Sequence, residues 1–140
     1  PTDLQAPFTA LMTIANGESK ITETIFENRM NHIKLLKKMG ASIKLNKNVA
    51  YIKGVKEIKG MDLIGSDLRS AAALIIAGII AKGSSKIYGL EHLDRGYENF
   101  ESKLKNLGIR ITRHFSKKVF NDQEYKLGNS LEDVTNPKAA

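Results

Sequence analysis

The chain repeats itself, and that repetition limits its fold more than any single motif. Asp3-Leu4-Gln5-Ala6 recurs as Asp67-Leu68-Arg69-Ser70 at an offset of 64, and Arg29 matches Arg95 at 66. Gly40-Ala41-Ser42-Ile43 matches Gly108-Ile109-Arg110-Ile111 at 68. Matches in the same order, with only a slow drift in offset, mark a duplicated supersecondary unit of about 66 residues interrupted by short insertions.

Hydrophobic spacing and punctuation give each unit its elements. In the first, Leu4, Phe8, Leu11, Met12 and Ala15 recur at helical intervals between Asp3 and Gly17, which predicts a helix opened by an aspartate cap. Residues 20–26 alternate Ile21, Glu23 and Ile25 with Thr22, Thr24 and Phe26, a strand pattern rich in Thr and Ile. A helix is predicted over residues 30–39, with Ile33, Leu36 and Met39 near one face, Lys34, Lys37 and Lys38 toward another, and Gly40 as its C-cap. Short strands follow at 42–45 and 49–52 around a turn at Asn46-Lys47-Asn48, and another at 61–64 leads into the second unit. That unit repeats the order as helix 67–81, strand 85–88, helix 96–107 and strand 109–113. The strand that should precede Asp3 is missing, so the first repeat is expected to be cut. A last strand is expected at 117–120. Residues 121–140 are polar, contain Gly128 and Pro137 and keep no period, which predicts a loosely attached tail, 116–140, after a domain of residues 1–115.

Composition narrows the setting. The 140 residues carry 22 Lys+Arg against 15 Asp+Glu, a net charge of +7, and the four basic and four acidic residues from Ser116 onward cancel. The positive field therefore belongs to residues 1–115 and favours an anionic partner. Cysteine is absent, which excludes disulfides, thiolate zinc sites and a nucleophilic thiol and suits a cytoplasmic setting. The longest apolar stretch, from Ala71 to Ala81, is broken by Gly78 and is far shorter than the roughly 20 residues that cross a bilayer. No membrane partner is expected. The opening Pro1, with no charged segment and apolar signal core behind it, suggests a fragment or a processed product.

The residues able to carry chemistry cluster at helix starts and strand ends. Asp3 and Asp67 are either ordinary caps or acids at two equivalent helix starts that face one anion site. Arg29 and Arg95 follow equivalent strands and are either solvated loop charges or part of a clamp. Arg69 lies in the first turn of a helix, where a cation opposes the macrodipole unless an anion offsets it. Three guanidinium groups at such places suit a carboxylate or phosphate, which they can grip with paired donors. His32, His92 and His114 have no second ligand at metal-binding spacing, so no metal is expected. No phosphate loop, dinucleotide glycine fingerprint or serine triad is present. The basic set Lys34, Lys37, Lys38, Lys44 and Lys47 lacks interleaved aromatics and reads as a solvated face, with no nucleic-acid partner.

Four strings then matter together: residues 1–5 (PTDLQ), 21–29 (ITETIFENR), 67–71 (DLRSA) and 92–98 (HLDRGYE). They resemble the C-terminal part of the UDP-N-acetylglucosamine 1-carboxyvinyltransferases, a branch of the enolpyruvyl transferases, over about residues 1–115. The resemblance implies an α/β (α+β) fold of repeated βαβαββ units, an inside-out α/β barrel with helices inside and sheets outside, here an incomplete domain. It implies transfer of enolpyruvate from phosphoenolpyruvate to the 3-hydroxyl of UDP-N-acetylglucosamine through a tetrahedral intermediate, with release of phosphate, in peptidoglycan synthesis. It implies no metal or organic cofactor. By the same resemblance Asp3 binds the sugar hydroxyl and serves as its base, with Thr2 beside it, while the backbone of Ile25 contacts the nucleotide sugar. Arg29, Arg69 and Arg95 surround phosphoenolpyruvate and the intermediate, and Asp67 is a second active-site acid.

The family's other domain, its N-terminal lysine-asparagine pair and its mobile loop acid are not in this sequence, so the chain alone is expected to be inactive. A cut repeat also leaves an open sheet edge, a route to self-association. The sister 3-phosphoshikimate 1-carboxyvinyltransferases share fold and chemistry, but the strings 22–29 and 92–98 favour the nucleotide-sugar branch. A noncatalytic interaction module of the same fold is the remaining alternative.

Overall fold

The computed structural model describes residues 1–114 and 130–135. A 3-10 turn at Thr2–Leu4 runs into α1 (Gln5–Met12), followed by β1 (Glu18–Thr22), α2 (His32–Lys38), β2 (Ser42–Asn46) and β3 (Val49–Lys53). β4 (Asp62–Ile64), α3 (Leu68–Ile80), β5 (Lys86–Tyr88), α4 (Leu90–Leu93), α5 (Phe100–Asn106), β6 (Arg110–His114) and β7 (Ser130–Thr135) complete the described chain.

Two sheets follow the duplication. In the first, β3 lies between β1 and β2, antiparallel to both. In the second the order is β4-β5-β7-β6, with β4 parallel to β5 and β7 antiparallel to β5 and β6. Thr22 pairs with Val49 as Tyr88 pairs with Ser130, so β1 corresponds to β5 and β3 to β7. The second unit is a full βαβαββ unit. Among the described residues the first unit shows no counterpart of β4 or of the short helix α4, and β1 pairs on one side alone.

The helix α3 lies inside. Ala71, Ala72, Ala73, Leu74, Ile75, Ala77 and Gly78 of α3 are all buried, so that helix has no solvent face. Its small residues let α1 approach through Ala6 and Ala10, and α2, α4, β5 and β7 pack round it. The strands β2, β3, β4 and β6 bury one face and leave the other exposed, as sheets covering a helical layer must. No helix among the described residues is long and apolar enough to cross a membrane.

Both units close their second helix identically. Gly40 (φ +103°) and Gly108 (φ +86°) are left-handed, and each amide bonds the carbonyl three residues back while the next amide bonds the carbonyl five back. These are Schellman caps, and they satisfy carbonyls that the helix end would leave unpaired.

Three expectations need correction. The strand predicted over 20–26 stops at Thr22, because the Glu23 carboxylate takes the Ile25 and Phe26 amides that a longer strand would offer to its ladder. Helix 96–107 is shorter, at Phe100–Asn106, and a separate turn of helix occupies Leu90–Leu93. Within the tail expected to hang loosely, Ser130–Thr135 is an interior strand with Leu131 and Val134 fully buried. The strand expected at 117–120 lies outside the described residues.

A groove of about 530 Å³ lies between the N-terminal turn and α1 on one side and the end of β1 and its following loop on the other, lined by Leu4, Gln5, Phe8, Ile21 and Ile25 among others. Leu4, Phe8, Leu11, Ile25 and Phe26 are exposed apolar side chains.

Candidate functional site

The 3-10 turn before α1, the loop after β1 and the first turn of α3 meet beside this groove. Asp3 Oδ1 accepts hydrogen bonds from Arg69 Nε (2.9 Å) and Nη2 (2.5 Å), and Arg29 Nη1 lies 3.7 Å away. Arg29 Nη1 also donates to the Thr2 hydroxyl (3.0 Å), which in turn donates to Glu23 Oε2 (2.6 Å). The Arg29 guanidinium stacks on Phe26 with Cζ 3.5 Å from the ring centre. The Asp3 side chain remains 71% exposed, against 19% for Arg29 and 31% for Arg69. An open carboxylate therefore sits against two partly covered guanidinium groups. Hydrogen bonding and charge from Arg69, aided by Arg29, hold its carboxyl below the usual carboxylate value.

Asp67 is used differently. It is the N-cap of α3, with extended backbone, and Oδ1 accepts from the amides of Arg69 (2.9 Å) and Ser70 (3.0 Å). The Ser70 hydroxyl accepts in return from the Asp67 amide (3.1 Å), forming a capping box. Partial burial opposes its ionisation, but these bonds and one from the Ser66 hydroxyl prevail and keep its carboxyl low. The capping expected of Asp3 does not occur. Its turn is capped by Pro1 without a side-chain bond, which frees the carboxylate for Arg69.

Thr2, Asp3, Arg29 and Arg69 thus form one hydrogen-bonded cluster, and Asp67 joins it through the Arg69 backbone. Ile25 joins through Glu23, which takes its amide at 2.8 Å, while the Ile25 side chain is exposed. Arg95 stays apart. It is exposed and makes no hydrogen bond or ion pair among the described residues. Its neighbours are nevertheless fixed: Asp94 pairs with Arg113 at 2.5 Å, and a Cβ on Gly96 would come within 2.7 Å of Leu68 at the start of α3.

Two residues escaped the sequence reading. Glu23 is buried and accepts from Thr2, Ile25 and Phe26, and the Thr2 hydroxyl bond chiefly holds its carboxyl low. His32, dismissed as one of three scattered histidines, is buried at the start of α2, and burial pushes its imidazole down to about 4 while the Asp67 charge pulls the other way. Among the described residues no group of three or more His, Asp or Glu is placed to hold a metal ion. An exposed carboxylate flanked by guanidinium donors can bind a hydroxyl and an adjacent anion together.

Comparison with known proteins fits that chemistry. A family profile described as EPSP synthase (3-phosphoshikimate 1-carboxyvinyltransferase) matches residues 1–104. The chain belongs to the EPSP synthase family. Within that family, a protein of Prochlorococcus marinus (strain MIT 9312) named UDP-N-acetylglucosamine 1-carboxyvinyltransferase is 78% identical over all 140 residues. A Synechocystis protein (strain ATCC 27184 / PCC 6803 / Kazusa) of the same name is 51% identical over 113 residues, 81% of this chain and 26% of that protein. The chain spans 31% of the length of the Prochlorococcus relative. Among solved structures, the enolpyruvyl transferase NikO from Streptomyces tendae superposes with a TM-score of 0.68 at 29% identity, covering 76% of this chain and 25% of that one. EPSP synthase from Acinetobacter baumannii superposes with a TM-score of 0.69 at 16% identity over 95% of this chain and 28% of its own, a likeness of fold.

Proposed function

We propose that this chain is part of a transferase that moves enolpyruvate from phosphoenolpyruvate to the 3-hydroxyl of UDP-N-acetylglucosamine and releases phosphate, a step in peptidoglycan synthesis on which cell shape and division depend. The observation that carries the reading is Asp3, an open carboxylate held by Arg69 and Arg29 beside Thr2. The relatives that match the whole chain at 62–78% identity carry that enzyme's name.

In this reading Asp3 orients the sugar hydroxyl and takes its proton as oxygen attacks C2 of phosphoenolpyruvate. Arg69 opposes that role, since a carboxylate paired with a guanidinium is a weak base. Binding of the anionic substrate resolves the conflict by drawing the Arg69 and Arg29 donors toward phosphate and carboxylate, which raises the basicity of Asp3 at the moment it is needed. Arg95 swings in from solvent to complete the positive wall that stabilises the tetrahedral intermediate. Asp67, fixed as the α3 cap, stands at the positive helix end and assists the proton transfers of addition and elimination. The backbone of Ile25 meets the nucleotide sugar.

The test is phosphate release from phosphoenolpyruvate plus UDP-N-acetylglucosamine by the full-length enzyme containing this segment. Release only when shikimate 3-phosphate replaces the nucleotide sugar would move the chain to the sister branch, and silence with both would leave a noncatalytic module. The 140-residue chain alone is expected to be silent, because it supplies one side of a cleft. The β1 edge, unpaired among the described residues, and exposed Leu4, Phe8 and Leu11 favour self-association, measurable as concentration-dependent sedimentation.

A further inference from the structure

Glu23 lies where the repeat changes character. Thr22 corresponds to Tyr88 through the paired registers of β1 and β5, so the position after it is Glu23 in the first unit and Gly89 in the second. Gly89 is left-handed (φ +83°), and a Cβ there would come within 2.2 Å of the Gly65 carbonyl in the loop after β4. The unit therefore folds without an acid at this place. An acid in the first unit needs a reason beyond the fold.

Its bonds supply one. Glu23 is only 3% exposed, and each carboxylate oxygen does a separate job. Oε1 accepts the amides of Ile25 (2.8 Å) and Phe26 (3.2 Å), whereas Oε2 accepts the Thr2 hydroxyl (2.6 Å). The backbone beneath is pinned to the β2–β3 hairpin, with the Glu23 amide donating to the Asn48 carbonyl (2.9 Å) and Asn48 Nδ2 donating to the Glu23 carbonyl (2.6 Å). A hydroxyl has one proton. Because Thr2 gives its proton to Glu23, its lone pairs turn to Arg29 Nη1, 3.0 Å away, and fix the guanidinium next to Asp3. Because the Ile25 amide is spent on Glu23, the contact that this residue makes to a ligand falls to its carbonyl.

We propose that Glu23 is a positioning residue for the nucleotide-sugar side of the site, setting Thr2 and Arg29 with one oxygen and the Ile25–Phe26 backbone with the other. The assignment rests on the transfer reading above. It predicts a selective loss, since Thr2 and the Ile25–Phe26 backbone lie on the sugar-nucleotide side, whereas of the arginines assigned to phosphoenolpyruvate Glu23 reaches only Arg29, and that indirectly through Thr2.

The experiment measures kcat and KM for both substrates in the full-length enzyme and in Glu23→Gln, Thr2→Val and the double variant. Glu23→Gln keeps the shape and one oxygen for the two amides but turns a donor toward the Thr2 hydroxyl. Glu23→Gln is expected to raise KM for UDP-N-acetylglucosamine about tenfold and that for phosphoenolpyruvate less than about twofold, with little change in melting temperature. Thr2→Val removes that same Thr2–Glu23 bond together with the Arg29 contact that depends on it, so the double variant is expected to be no worse than Thr2→Val alone. Equal losses for both substrates, no loss, or additive losses would overturn the proposal by making Glu23 merely structural. If Glu23→Gln does not fold, Thr2→Val reads the same bond from its other end. If the unsubstituted enzyme releases no phosphate, titration with UDP-N-acetylglucosamine separates the two readings. Binding weakened about tenfold by Glu23→Gln would support the positioning role while the reaction fails, and binding that is absent or unaltered would overturn the role.

Discussion

Asp3 and Asp67 occupy the same place in two copies of one unit, yet only Asp67 serves its own helix. The difference begins in the backbone. Asp67 is extended (φ −158°, ψ 171°), which aims its carboxylate back at the first amides of α3. Asp3 is already inside a 3-10 turn, with the Leu4 amide bonded to the Pro1 carbonyl, so its carboxylate points away from α1. Two residues further on the copies diverge again. Gln5 is buried and spends its amide on Thr9 (3.3 Å) and Met30 Sδ (3.0 Å), whereas Arg69 is free to cross to Asp3. One copy supplies a carboxylate and the other the guanidinium that pairs with it. The duplication provides matched helix starts, and differences at single positions make one a helix cap and leave the other an open carboxylate paired with arginines.

The sharpest way to break this contrast is to remove each carboxylate from the full-length enzyme. Asp3→Asn should lower kcat about a thousandfold, the range expected for losing a general base, and leave the melting temperature unchanged because no cap is lost. A large loss of stability, or activity within about tenfold of normal, would contradict the role drawn for Asp3.

Acid should separate the two copies next. His32 in the first unit is buried, whereas the residue 66 further on, Glu98, is exposed. The folded-state pKa of His32, about 4, lies below the ordinary 6.5, so the unfolded chain takes up a proton first as pH falls. The stabilisation is complete above pH 6.5 and is lost progressively down to about 4, a total of roughly 3 kcal/mol. Asp3, Glu23 and Asp67 are held low in the fold, so their stabilisation starts to fade only at about pH 5, where unfolded carboxyls begin to take up protons, and the fall between pH 7 and about 5 is the part His32 contributes. Denaturation midpoints between pH 7 and 4.5 should fall with pH, and His32→Gln should flatten that slope. An unchanged slope in the variant would assign the acid sensitivity elsewhere.

Asp67→Ala should then cost about 1 kcal/mol, the usual value of an N-cap, and lower the melting temperature where Asp3→Asn does not. Calorimetry of the two variants reads the difference directly. Its kcat should fall as well, and the stability change is the part that tests the comparison.

How far the sequence anticipates all this depends on the range of each interaction. The Gly40 cap is legible because a left-handed cap is a local demand, with Gly108 its match in the repeat, and α3 because its apolar run has no polar face. Three of the four strings contain Thr2, Asp3, Arg29 and Arg69, which the fold draws into one cluster. β7 was hidden for a reason of register. Its counterpart β3 follows β2 after a two-residue turn, but β7 follows β6 after residues 115–129, and the offset jumps from 68 to 81. Glu23 was hidden by its alternation with Ile21 and Ile25, which made a buried acid look like part of a strand. The signal that could have found it is the mismatch of Glu23 with Gly89, visible once β1 and β5 are aligned. Asp3 was ambiguous because a cap and a ligand-facing acid use the same residue at the same helix start, and only the long-range partner Arg69 separates them.

The smallest effect tests whether identical motifs carry equal weight in the two copies. A Cβ at Gly40 or Gly108 meets nothing within 4 Å, so an alanine there suffers only from its left-handed backbone, about 1 kcal/mol. The helices they close are not equivalent. α2 buries His32, Ile33 and Leu36, whereas α5 has no buried residue. α2 cannot fray without opening the core, so the strain in Gly40→Ala must appear in global stability. α5 can release its last turn into solvent, so Gly108→Ala should cost the whole molecule only a few tenths of a kcal/mol while speeding amide exchange at Gly108 and Ile109. Equal global losses from the two substitutions would show that α5 is held as firmly as α2, and that the second copy leans on its exposed helix more than the burial of its side chains implies.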